Sequence, residues 1–232
     1  MLENQSVTRP VLSIIVPVYN EARYIEATLE RLVDRPYPGA NQEVIVIDDG
    51  SSDNTPLLLN RWSARPGFRV LTHQSNRGKG AAIRTGLAHV TGKIVAIQDA
   101  DLEYDPDDLM ALIAPIVRGE ARAVYGSRYL NLTNHLPWTK YRVAVHVMNA
   151  LTRLLYGIRL TDVNTCYKIL SSELYLNLDL RSERFNFCAE VTAKLARNGV
   201  CIHEVPIRYH PRGKKEEKKL VGVMRNSLLL LF

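Results

Sequence analysis

Short apolar runs rich in β-branched residues recur through the first half of the chain. Segments of helical period separate them, and most of the runs stop at a polar cluster. The runs at 11–18, 44–47, 68–71, 94–97 and 123–125 read as buried strands. Helices are expected at about 21–34, 54–64 and 80–90, and another begins where Asp105 and Pro106 supply an N-cap and first position. This alternation predicts an α/β fold: a mostly parallel, Rossmann-like sheet with helices on both faces. After Gly126 the rhythm changes to a loop at 129–137, a helix at 138–156, a strand near 167–170, a helix at 187–198 and a strand at 201–208. The reading is one domain with an elaborated second half.

Composition narrows the class. With 46% hydrophobic and 23% charged residues, a disordered chain, a collagen and a disulfide scaffold are excluded. Cys166, Cys188 and Cys201 lack CxxC spacing, so they read as reduced, buried, small apolar groups of an intracellular protein. The first residues lack a signal-peptide layout, and no run of about 18 apolar residues occurs. A cytoplasmic location is expected. The apolar end, Leu228 to Phe232, is expected either to face a membrane or to pack as a terminal helix. A net charge of +6 favours an anionic partner.

In open parallel sheets, ligands bind beyond the carboxyl ends of strands. Polar clusters stand at those ends: Tyr19-Asn20-Glu21, Asp48-Asp49, Asp99-Ala100-Asp101 and Gly126-Ser127-Arg128. Asp99 and Asp101, two residues apart past an apolar strand, suit one hard divalent cation such as Mg2+ or Mn2+. Asp48 or Asp49 can hydrogen-bond a base or ribose. Asn76-Arg77-Gly78-Lys79-Gly80 lacks P-loop spacing but puts Arg77 and Lys79 at a helix N-terminus, where anions are favoured. No GxGxxG follows the first strand, which disfavours a dehydrogenase.

Ser13 to Glu21 (SIIVPVYNE), Val46 to Asp53 (VIDDGSSD), Gln98 to Glu103 (QDADLE) and Gly126-Ser127-Arg128 together resemble glycosyltransferase family 2. The branch most similar is that of dolichyl-phosphate mannose synthases and polyprenyl-phosphate glycosyltransferases. The resemblance implies a GT-A fold over 1–215, with a nucleotide-sugar half at about 1–128 and an acceptor half at 129–215, followed by a basic and apolar tail at 216–232. It implies a nucleotide-diphospho-sugar donor, GDP-mannose or UDP-glucose, and a polyprenyl or dolichyl phosphate acceptor, with the enzyme peripheral at the cytosolic face of a membrane.

By the same resemblance, Pro17, Tyr19, Glu21 and Asp49 border the nucleotide. Asp99, Asp101 and Glu103 are the metal-side carboxylates, and Glu103 stands where the branch often has Gln. Arg128 meets the acceptor phosphate. Asp162 opens the acceptor-side segment, where Cys166-Tyr167-Lys168 departs from the branch's Gly-Phe-Arg. Arg212 and Lys214 belong to a basic segment that closes on the donor diphosphate. Residues 206–219 carry much of the excess positive charge and read as that lid.

Charge then dictates the expected chemistry. A metal on Asp101, with Arg212 and Lys214, neutralises the leaving diphosphate, and the phosphate acceptor attacks in line with inversion. A saccharide hydroxyl acceptor would instead need a carboxylate base, for which Asp162 and Glu190 are available. A catalytically inactive nucleotide-sugar binder is a further alternative. A nucleic-acid partner is not expected, because only Tyr209 interleaves the basic stretch.

Overall fold

The computed structural model describes residues 12–34, 41–136 and 139–212. Its first half is β1 (Leu12–Val18), α1 (Ile25–Asp34), β2 (Gln42–Asp48), α2 (Thr55–Ser63), β3 (Phe68–Thr72), α3 (Lys79–Leu87) and β4 (Ile94–Ile97). A 3-10 turn (Pro106–Asp108), α4 (Leu109–Val117) and β5 (Ala123–Ser127) follow. The second half is α5 (Lys140–Tyr156), β6 (Lys168–Ser171), α6 (Ser172–Asn177), α7 (Phe187–Arg197) and β7 (Ile202–Pro206).

The strands form one seven-stranded sheet in the order β3-β2-β1-β4-β6-β5-β7. β1 runs parallel to β2 from Leu12 opposite Gln42 to Val18 opposite Asp48, and parallel to β4 from Leu12 opposite Ile94. Alternate residues of each strand enter opposite cores. Ile15, Ile45, Ile47 and Ile97 pack beneath α3, α5 and α7, while Ile14, Val16, Val44 and Val46 pack with residues of α1, α2 and α4. Both faces are covered, which is why the central strands are apolar at nearly every position.

The sequence expectation of a mostly parallel sheet holds, with one addition. β6 lies between β4 and β5 and runs antiparallel to both. The cause is tertiary. After α5 the chain returns to the carboxyl edge of the sheet, where Thr161 Oγ1 meets Ser127 Oγ at 2.6 Å and Asp162 pairs with Arg128. A strand that leaves from this edge has to run against its neighbours. β5 and β7 pair in parallel, so the carboxyl ends of β1, β2, β4 and β5 open on one crevice.

Candidate active site

The loops after β1 and β2 are tied together. Asn20 donates its N–H to Ser51 Oγ at 2.9 Å and accepts from Ser52 N–H at 2.8 Å. Glu21 N–H reaches Thr55 Oγ1 at 3.0 Å. Pro17 and Tyr19 are partly open to solvent on this rim, whereas Glu21 is buried.

Asp49 is buried and fully engaged. Its carboxylate accepts from Arg77 N–H at 2.9 Å and Gly78 N–H at 2.7 Å, and it meets His73 Nδ1 at 2.7 Å. The anion favoured ahead of α3 is therefore Asp49 itself, and Ala81 N–H is taken by Glu183 O at 2.9 Å. The helix start that the sequence reading marks as favouring anions thus holds this carboxylate. Gly78, at φ 97°, makes the bend that aims these N–H groups inward. On the neighbouring Asp48, Oδ1 accepts from Ser51 N–H, while Oδ2 is buried without a partner among the described residues.

The carboxylates after β4 gather cations. Lys79 of α3 pairs closely with Asp99 and also donates to Cys166 Sγ at 2.8 Å. Burial works against the Lys79 charge, but Asp99 overcomes it and holds the ammonium well above its usual pKa. Arg212 contacts Asp101 Oδ2 at 2.8 Å, Glu21 Oε2 at 3.0 Å and Glu103 Oε1 at 3.4 Å. Burial disfavours the Arg212 charge too, and Asp101, Glu21 and Glu103 outweigh it, so its pKa rises.

Three carboxylates on one guanidinium are a hard-oxygen donor set already holding one cation. Among the described residues no three potential ligands are arranged to hold a metal. Mg2+ and Mn2+ take oxygen donors of this kind, commonly one or two carboxylates with substrate phosphates completing the shell. The chemistry of the donors fits; Arg212 is the stand-in ion.

Across the crevice, Arg128 follows β5 and pairs bidentately with the fully buried Asp162. Nε lies 2.7 Å and Nη2 2.8 Å from the two carboxylate oxygens. Glu204 of β7 fixes the segment that carries Asp162 by accepting from Thr161 N–H at 2.8 Å and Asp162 N–H at 3.0 Å. Three tyrosine rings surround the guanidinium: Tyr209 at 5.2 Å, Tyr104 at 5.8 Å and Tyr129 at 5.9 Å. Tyr209 also donates its hydroxyl to Glu103 Oε2 at 3.0 Å. One tyrosine thus joins the acid cluster to the second arginine. Glu204 and the tyrosine cage escaped sequence reading, because no spacing pattern marks them.

Other sequence expectations resolve differently. Lys214 lies outside the described residues, as does the tail. Arg208, counted in the basic lid, is pinned instead to Asp105 at 2.9 Å and Asp108 at 2.9 Å. Tyr167 and Lys168 do not face an acceptor. Tyr167 is fully buried with its hydroxyl on Gln98 Oε1 and Asp105 O. Lys168 is buried over the Tyr125 ring and donates to Val163 O at 2.9 Å. Glu190 ties Arg181 and Ser182 N–H groups to α7, each at 2.8 Å. The cysteines are not all buried apolar groups: Cys166 touches Lys79, Cys188 is half-buried and Cys201 is exposed.

A mostly parallel sheet whose carboxyl edge carries two arginines and an acid cluster suits an anionic ligand. Residues 13–177 match the family described as Glycosyl transferase family 2, and the chain belongs to that family. Over 218 residues it is 30% identical to the UDP-N-acetylglucosamine–dolichyl-phosphate N-acetylglucosaminyltransferase of Methanococcus voltae, covering 85% of each chain. The dolichol-phosphate mannosyltransferase of Pyrococcus furiosus is 26% identical over 210 residues, which span 89% of this chain and 58% of that one. Within the family, the protein is a glycosyltransferase of the dolichyl- and polyprenyl-phosphate branch.

Glucosyl-3-phosphoglycerate synthase from Mycobacterium tuberculosis, solved with Mn2+, UDP and glucosyl-3-phosphoglycerate, superposes with a TM-score of 0.71 at 23% identity. The match covers 96% of this chain and 78% of that one, and it shows the GT-A fold. The mannosyltransferase PcManGT from Pyrobaculum calidifontis, in complex with GDP-Man and Mn2+, gives 0.60 at 27% identity, over 86% of this chain and 56% of that one.

Proposed function

We propose that this glycosyltransferase moves one sugar from a nucleoside-diphosphate sugar onto a polyprenyl or dolichyl phosphate at a membrane surface, with inversion at the anomeric carbon. The observation that carries this reading is the pair of cationic centres bridged by Tyr209, with Arg212 in the acid cluster and Arg128 in the tyrosine cage. A reaction between two anions needs a cation for each. The named relatives of Methanococcus voltae and Pyrococcus furiosus, both dolichyl-phosphate enzymes, support the acceptor class.

On the donor side, Glu21 and the rim of Pro17 and Tyr19 border the nucleotide. Asp49 acts by holding the 77–78 backbone. Asp101, with Asp99 or Glu103, would hold Mg2+ or Mn2+, whose charge would neutralise the departing diphosphate. When donor arrives, Arg212 turns from the carboxylates to the diphosphate, a stronger partner for a planar guanidinium. Lys79 balances Asp99.

On the acceptor side, Arg128 presents Nη1 to a phosphate oxygen while Asp162 keeps its other edge in register. The phosphate oxygen attacks the anomeric carbon, the bond to the diphosphate breaks, and its electron pair leaves with the diphosphate. A phosphate acceptor needs no base. That agrees with the state of the two candidate bases: Asp162 is paired with Arg128 and Glu190 with backbone N–H groups.

The test is incubation with radiolabelled GDP-mannose, UDP-glucose or UDP-N-acetylglucosamine, Mg2+ or Mn2+, and a short polyprenyl phosphate. Label in the organic phase is expected. Label confined to water-soluble glycosides would overturn the acceptor assignment.

A further inference from the structure

The three cysteines are unevenly placed. Cys201 is exposed at the amino end of β7, the edge opposite the crevice. Cys166 and Cys188 are half-buried and hydrogen-bonded to each other. Their neighbours bear this out, since Cys188 Sγ lies 3.5 Å from the carbonyl oxygen of Thr165, the residue before Cys166. Cys166 touches both halves of the site. Its sulfur accepts from Lys79 Nζ at 2.8 Å, beside Asp99, and its N–H reaches Tyr104 Oη at 3.3 Å, under Arg128.

The two thiols differ in chemistry. Cys188, at the start of α7, accepts from Cys166. That bond outweighs burial and, with the Lys168 and Lys79 charges, holds its pKa below the ordinary thiol value. Cys166, as the donor and by its burial, stays protonated well above that value. A thiolate nucleophile thus stands against a second, resolving thiol.

We infer that Cys166 and Cys188 form a peroxide-reactive dithiol, whose closure to a disulfide switches the site off. The Cys188 thiolate attacks one oxygen of hydrogen peroxide, the O–O bond breaks, and hydroxide leaves with its electron pair. Cys166 then gives up its proton and attacks the resulting sulfenic sulfur; the S–O bond breaks and hydroxide leaves again. In sum, two thiols lose two hydrogens, and one peroxide becomes two waters. A disulfide sulfur is a poor acceptor, so Lys79 loses its second partner. The bond also holds the two Cβ atoms about 4 Å apart and ties the Cys166 segment to α7, which disturbs its contact with Tyr104. The effect on transfer rests on the donor and acceptor roles proposed for these residues; the thiol chemistry does not.

The experiment treats the reduced full chain, and its Cys201→Ala variant, with excess hydrogen peroxide. Both should lose two hydrogens by intact mass, and peptide mapping should join Cys166 to Cys188. Transfer should fall at least about tenfold and return with dithiothreitol. Cys188→Ser, or Cys188→Ala if that folds poorly, should form no such bond and keep its transfer in peroxide. Two thiols of the Cys201→Ala chain still open to maleimide after peroxide, or Cys188 oxidised without a bond to Cys166, would overturn the inference. An oxidised chain that transfers as fast as the reduced one, or a Cys188 variant inactivated as the wild type is, would overturn the switch. If the reduced chain transfers no sugar, the proposed function fails, and the mass still decides the bond.

Discussion

At the scale of single residues, the site is a set of opposed charges, and its predictions concern their removal. Asp101→Asn leaves Arg212 one carboxylate short and weakens the metal side. Transfer should fall by about 100-fold or more in kcat/KM, read with saturating acceptor. Arg212→Ala separates two roles. It removes the guanidinium from Glu21, Asp101 and Glu103, so donor-free protein should bind Mn2+ about tenfold more tightly by calorimetry, while transfer falls. Unchanged Mn2+ affinity would show that Arg212 does not compete for those carboxylates.

Lys168 carries a pH prediction. Burial depresses its pKa to about 8 from an ordinary 10.5. Below about 8 both folded and unfolded chains hold the proton, and burying the charge costs stability. Between about 8 and 10.5 the unfolded chain binds more protons, so stability rises with pH. The unfolding free energy of wild type minus that of Lys168→Met should therefore climb by roughly 3 kcal/mol across that window in urea titrations. A flat difference would mean the ammonium is not desolvated.

At the scale of elements, legibility follows how local the cause is. β1, β2 and β4 were visible because burial on both faces leaves an uninterrupted apolar run. Asp105 was visible as a cap, and it does accept from Asp107 N–H at 3.1 Å. The antiparallel insertion of β6 was not visible, because its direction is set by where Thr161 and Asp162 dock. Nor was the contact of the 182–184 segment with α3. An ideal Cβ on Gly80 would stand 2.3 Å from Ser182 O, so that backbone allows no side chain there. Gly80→Ala should cost about 2 kcal/mol, lowering the Tm of a chain of this size by about 4–8 °C. It should also disturb Lys79, the preceding residue, and so weaken donor binding. A calorimetric scan and a donor titration check both.

At the scale of the whole molecule, the excess of 30 Lys+Arg over 24 Asp+Glu is distributed by function. Of residues 206–219, read as one basic lid, 213–219 lie outside the described residues. Arg208 is spent on the Asp105–Asp108 turn, and Arg212 sits inside the acid cluster. Because Arg212 already neutralises that cluster, a chelator should abolish transfer yet leave the Tm of donor-free protein unchanged. Donor and metal together should raise stability by about 2.7 kcal/mol at a hundredfold excess over Kd. Thermal melts with and without EDTA decide this.

The sequence by itself determined the α/β class, the strand ends where chemistry collects and the family, because these depend on local periodicity and on short motifs such as Gln98 to Glu103. Only the tertiary structure decided who pairs with whom. Arg212 meets Asp101 across 111 positions and Arg128 meets Asp162 across 34. Ion pairs of that range leave no spacing signature in a chain. They form because the sheet brings the carboxyl ends of separate strands to one edge, where a buried charge is stable only with a partner.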